Sequence, residues 1–109
     1  MNRIAMAPAA SALLRCVIGR AHVPRNRILL TEALTVEWCS LTFTGERHQL
    51  QLRIPAPDSR AIMERMCDGL EDAEFNIPGV IVADIAFTAA PGSDGSTTIT
   101  IEALTVTAD

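Results

Sequence analysis

The chain has 109 residues, with nine basic and 13 acidic side chains and a net charge of −4. Every basic residue is an arginine, which excludes a phosphate-loop lysine or a Schiff-base lysine, and the acidic balance argues against nucleic-acid binding. Apolar residues make up 49% of the chain, enough for one core and one domain, while no apolar run reaches the ~18 residues of a membrane span.

The first 27 residues carry five arginines and no acid, and the remaining residues carry four arginines and all 13 acids. The chain therefore reads as a basic N-terminal arm over residues 1–27, flexible or docked, followed by a single α+β domain over residues 28–109. An Arg-rich, acid-free start is also what a targeting segment looks like. Leu13, Leu14, Val17 and Ile18 fall on one side of a short helix expected over Ser11–Ile18.

Ile28–Phe43 has no Gly or Pro and is rich in β-branched and apolar residues, so it reads as a strand. Leu34, Val36 and Trp38 share one parity and Cys39, Leu41 and Phe43 the other, so a bulge is expected near Glu37–Cys39. Thr44-Gly45-Glu46-Arg47 then resembles a type II′ turn. That turn sets Phe43 opposite His48, Leu41 opposite Leu50 and Cys39 opposite Leu52. His48–Ile54 alternates as a strand with one buried face, and Arg47, Gln49, Gln51 and Arg53 fall on the other face.

Pro55 and Pro57 end that strand, and Asp58 or Ser59 is expected to cap a helix. Ile62, Met63, Met66 and Leu70 form its apolar stripe, with Cys67 beside it. Asn76–Gly79 reads as a turn, Val80–Thr88 as a third strand, Ala89–Ser96 as a loop, and Thr97–Thr107 as a fourth strand. The ββαββ order predicts an α+β fold. It is a four-stranded, mainly antiparallel sheet with one helix on one face, ferredoxin-like or related, plus the N-terminal arm.

One amphipathic helix covers one side of a sheet. Val80 and Val82, Leu104 and Val106, and Leu34, Val36 and Trp38 supply apolar surface for the other side. That side needs a lid, either the arm or a second copy of the chain. A homodimer or higher homo-oligomer is the expectation, with Trp38 in its interface. The segment Glu32-Ala33-Leu34-Thr35-Val36 recurs letter for letter as Glu102-Ala103-Leu104-Thr105-Val106. The echo is either two strands drawing on the same β-compatible residues or two equivalent positions, which would set Glu32 and Glu102 around a shared groove.

Signals for catalysis are sparse. There is no G-x-S-x-G, so no nucleophile elbow. His48 is the one candidate base of the body. The expected register sets Cys39 and His48 four residues apart, roughly 13 Å, too far for a nucleophile–base pair. Asp84 is notable because an acid inside an apolar strand is costly unless paired, with Arg53 or Arg60 as partner, or placed at an interface. Asp68, Glu71, Asp72 and Glu74 cluster at the end of the helix, where negative charge is unfavourable. They form an acidic patch on which a basic protein partner, or the arm of another copy, could dock. Gly92–Ser96 is a candidate anion nest, although no helix follows it.

Cys16, Cys39 and Cys67 are too scattered for a disulfide framework or a zinc site, and reduced thiols suit a cytoplasmic protein. No metal and no cofactor is expected. The lysine-free, alanine-rich composition suggests a bacterial source. The leading reading is a self-associating module that binds a partner or small ligand, in a groove between sheet and helix, without catalysis. The alternative is a small enzyme with a site at a subunit interface, built from acidic residues and His48.

Overall fold

The computed structural model describes residues 5–107. In chain order these form helix α1 (Pro8–Gly19), strands β1 (Leu29–Cys39) and β2 (Thr44–Ile54), helix α2 (Ser59–Cys67), and strands β3 (Val80–Pro91) and β4 (Thr97–Thr107). Single 3-10 turns, Arg25–Arg27 and Leu70–Asp72, lie before β1 and after α2. The sheet is antiparallel throughout, in the order β1-β2-β4-β3. Because β2 and β3 are both antiparallel to β4, they run parallel to each other with β4 between them, and α2 bridges the two.

The segment that the sequence marks as a flexible or docked arm, with a short helix over Ser11–Ile18, forms the longer helix α1 and is docked in the core. α1 begins at Pro8, whose missing N–H costs nothing at a helix start, and it buries Ala10, Leu13, Leu14, Val17 and Ile18. These pack into the same core as Ile62, Met66 and Leu70. The core is completed by Leu50, Leu52 and Ile54 of β2, Ile99, Ile101 and Ala103 of β4, and Ile85 of β3. In the ladder Leu50 lies opposite Ala33 on one side and Ile101 on the other, so one parity of every strand faces both helices. Each fully buried Leu or Ile contributes on the order of 1.5–3 kcal/mol.

The arm's arginines join it to the rest of the chain. Arg20 donates from Nε to the Met66 carbonyl at 2.9 Å and from its fork to the Asp68 carbonyl. Arg65 donates back to the Ala21 carbonyl at 3.2 Å, and Arg27 donates to the carbonyls of Pro55, at 3.1 Å, and Pro57. Arg20 thereby supplies partners to the Met66 and Asp68 carbonyls at the end of α2. The positive charge of this segment is partly spent on internal carbonyls rather than left for a distant partner.

The β1–β2 hairpin differs from the expected one. Its turn is Ser40–Phe43, not Thr44–Arg47, and Cys39 pairs with Thr44. His48 lies opposite Thr35, Leu50 opposite Ala33 and Leu52 opposite Leu30. Ser40 closes the turn: its Oγ accepts the N–H of Phe43 at 3.1 Å, and its own N–H donates to the Phe43 carbonyl at 2.8 Å. A serine turn thus prevails over the glycine signal. Gly45 is needed for another reason, because a Cβ there would meet the Thr105 carbonyl oxygen and would sit 2.9 Å from Trp38 Nε1. Leu41 and Phe43 consequently stand exposed at the tip instead of lining the core. The β1 bulge is at Thr31, between Leu30 and Glu32, rather than near Glu37–Cys39.

The cap of α2 also differs. Neither Asp58 nor Ser59 caps through its side chain, and Asp58 has φ 63°. Ser59 Oγ instead donates to the Gly95 carbonyl at 2.7 Å and lies 2.8 Å from Thr97 Oγ1, tying α2 to the β3–β4 connection. Among the described residues, no helix is long and apolar enough to cross a membrane.

Candidate functional site

With both helices on one face, the opposite face of the sheet carries no element of the described chain. Alternation along the strands sets its rows. Trp38, Gly45, Val106 and Ile81 form one row across β1, β2, β4 and β3. Val36, Arg47, Leu104 and Asp84 form the next, and Leu34, Gln49, Glu102 and Ala86 the one after. Glu32, Gln51, Thr100 and Thr88 continue as a polar row. Leu34 and Val36 are each 52% exposed and Ile81 56%. The face is therefore apolar at the hairpin-tip end, polar towards the other, and charged in the middle.

Four of the five individually named candidates lie here. Glu32 and Glu102 both face this side, but β2 separates their strands and they are out of step. Glu32 is level with Thr100, and Glu102 with Leu34. The sequence echo acquires a structural meaning: its two copies run parallel on either side of β2, offset by two residues. Asp84 is exposed beside the β3 bulge at Ala83. Neither expected partner reaches it, because Arg53 pairs with Asp94 at 2.7 Å and Arg60 with Glu64 at 2.9 Å. Trp38 lies against Gly45, and its Nε1 is buried without an acceptor among the described residues. A hollow of about 390 Å³ opens on this face, with Leu34, Val36, Arg47, Gln49, Asp84 and Glu102 in its lining.

His48 belongs to the other face and is buried. Thr35 Oγ1 lies 2.9 Å from its Nδ1 and Thr105 Oγ1 lies 2.9 Å from its Nε2. Thr105 Oγ1 also lies 3.4 Å from the Glu46 carbonyl, to which it donates. A consistent network therefore has Nε2–H donating to Thr105 and Thr35 donating to Nδ1. Burial lowers the His48 pKa below its ordinary 6.5, against a smaller upward pull from the Glu46 carboxylate 4.0 Å away. Both ring nitrogens are engaged, so the side chain cross-links three strands and has no lone pair free for a substrate.

Asp68, Glu71, Asp72 and Glu74 are exposed around the end of α2 and the following 3-10 turn. Asp68, Glu71 and Asp72 border a groove of about 890 Å³ that also reaches Met63 and Phe87, and Glu74 lies outside its lining. No group of three or more metal-ligating side chains occurs among the described residues. The Gly92–Ser96 loop holds its own anion: Asp94 Oδ1 accepts the Ser96 N–H at 3.0 Å, and Gly92 N–H donates to the Ser96 carbonyl at 2.8 Å. Hydrogen bonds from the Ser96 hydroxyl and amide, then Arg53, hold the Asp94 carboxyl down at about 2.

The chain matches no protein-family model, no curated protein and no solved structure. Its geometry is what remains to read. Arg47 and Gln49, which the alternation of β2 set on its unburied face, sit among Leu34, Val36 and Leu104. The sequence carried no signal of these neighbours, because they depend on the register.

Proposed function

We propose that this protein is a self-associating binding module whose working surface is the open face of the sheet. The observation that carries this reading is the placement of α1. The N-terminal segment was one of two possible lids for the second face, and it packs beside α2 on the first. Leu34, Val36, Leu104, Val106, Ile81 and Trp38 therefore share a side that no element of the described chain covers. A contiguous exposed apolar patch of this kind marks an interaction site or an aggregation liability.

The enzyme alternative draws less support, because the histidine it needs is enclosed between two threonine hydroxyls. On the same proposal the architecture is a relative of the ferredoxin-like fold, in which a helix also bridges parallel strands separated by a third. That likeness carries no activity. Three free cysteines, one of them exposed, suit a reducing compartment and support a cytoplasmic setting. Arginine in place of every lysine supports a bacterial source.

The test is the mass in solution of the Leu34→Glu variant beside that of the native chain. A charge in place of this exposed leucine of the open face should dissociate the assembly, whereas Glu71→Arg on the acidic patch should leave it intact. Unchanged assembly in Leu34→Glu would remove the open face as the interface.

A further inference from the structure

We infer that the open face is closed by a second copy of this chain about a two-fold axis parallel to the strands and midway between β2 and β4, with Arg47 of each subunit meeting Asp84 of its partner. This rests on the self-association reading above and specifies its geometry. Three observations lead to it.

The first is area. Four strands about 4.8 Å apart, each 11 or 12 residues long at about 3.3 Å per residue, make a face of roughly 700 Å². A standard stable interface buries about 800 Å² on each partner. The face is the size a two-fold dimer requires, and packed sheets align within about 30° of each other.

The second is the order of the rows. An axis parallel to the strands lays each row over the same row of the partner and exchanges β2 with β4 and β1 with β3. Trp38 then covers the partner's Ile81, Leu34 covers the partner's Ala86, and Gln49 meets the partner's Glu102, while in the charged row Val36 lies over the partner's Asp84 and Arg47 over the partner's Leu104. An axis across the strands would lay the apolar row of Trp38 and Ile81 over the polar row of Glu32 and Gln51.

The third is charge. Among the described residues neither Arg47 nor Asp84 takes part in an ion pair. Within one chain they stand in the same row with β4 between their strands, about 9.6 Å apart. In the two-fold pair Arg47 lies over the partner's β4. The partner's Asp84 is then one strand away in projection, about 4.8 Å, and the sheets are about 10 Å apart. A long arginine and a short aspartate, extended from opposite sheets, meet across that gap. The pairing occurs twice, once on each side of the axis. Each Asp84 thereby gains an opposite charge, and the two Arg47 side chains, themselves about 4.8 Å apart in projection, diverge towards these partners on opposite sides of the axis. The hollow holding Gln49 and Glu102 is then walled by both subunits.

The experiment exchanges the charges. Arg47→Glu and Asp84→Arg are each prepared singly, mixed in equal amounts, and combined in one chain. Native mass spectrometry reads the assembly, and circular dichroism reads the fold. The native chain should be a dimer. Each single variant sets like charges together and should weaken dimerisation at least about tenfold. The equimolar mixture restores opposite charges at both contacts and should give a one-to-one heterodimer. The double variant should recover the homodimer. A monomeric native chain would overturn this arrangement together with the reading it rests on. A native dimer with undisturbed single variants, or single variants not rescued by mixing, would overturn the arrangement and leave self-association standing.

Discussion

Lowering the pH from 7.5 to 5 should destabilise this protein through His48. The native state holds the imidazole neutral, buried between Thr35 and Thr105, with its pKa below the ordinary 6.5. In the unfolded chain the same ring takes a proton at its ordinary value. Below pH 6.5 the unfolded state therefore binds more protons than the native state, and stability falls as pH falls. It is fully present above the unfolded value and is lost downwards until the native pKa is reached. One proton gives a limiting slope of about 1.4 kcal/mol per pH unit. Glu46, 4.0 Å from Nε2, opposes the shift and keeps the window narrow. Urea denaturation at half-unit steps of pH measures this slope. His48→Gln keeps a polar group at the site and should remove most of the slope while lowering stability at pH 7.5. A native chain whose stability is flat between pH 7.5 and 5, or a variant that keeps the slope, would refute the buried neutral histidine.

Gly45→Ala places a methyl against the Thr105 carbonyl and the Trp38 ring. It should cost about 1–3 kcal/mol by urea denaturation, and a cost below about 0.5 kcal/mol would contradict the close approach. Ser59→Ala removes the hydroxyl that links α2 to Gly95 and Thr97. It should cost about 1–3 kcal/mol by leaving buried partners unsatisfied, and near-neutral thermal denaturation would contradict the link. Thiol labelling of the folded chain should modify Cys39 quickly and Cys67 slowly, because Cys39 is exposed while burial pushes the Cys67 thiol up to about 11. Equal rates at the two positions would contradict the placement of Cys67 in the core.

The class of fold was legible because alternation and helical periodicity report burial directly. His48–Ile54, Ile62–Cys67 and Thr97–Thr107 take the expected forms, and the faces of β2 are those its alternation indicates. The hairpin register was not legible. Two turn signals compete within Ser40–Arg47, and the glycine that marks a turn in isolation is here the space that lets Trp38 cross the strand. Parity survives such a slip only when it is even, as it is for His48, whose partner moves from Phe43 to Thr35. The docking of α1 was half legible: its apolar stripe is plain in Leu13, Leu14, Val17 and Ile18, but which face of the sheet it chooses depends on tertiary packing. The His48 network was invisible for the same reason, since Thr35 and Thr105 are brought to it from 13 and 57 residues away.

Self-association through the open face is tested most directly by the mass of the native chain in dilute buffer, measured by native mass spectrometry and sedimentation. The account predicts a closed dimer of two 11.7 kDa chains that dissociates in Leu34→Glu. A soluble species of 11.7 kDa at every accessible concentration would contradict it.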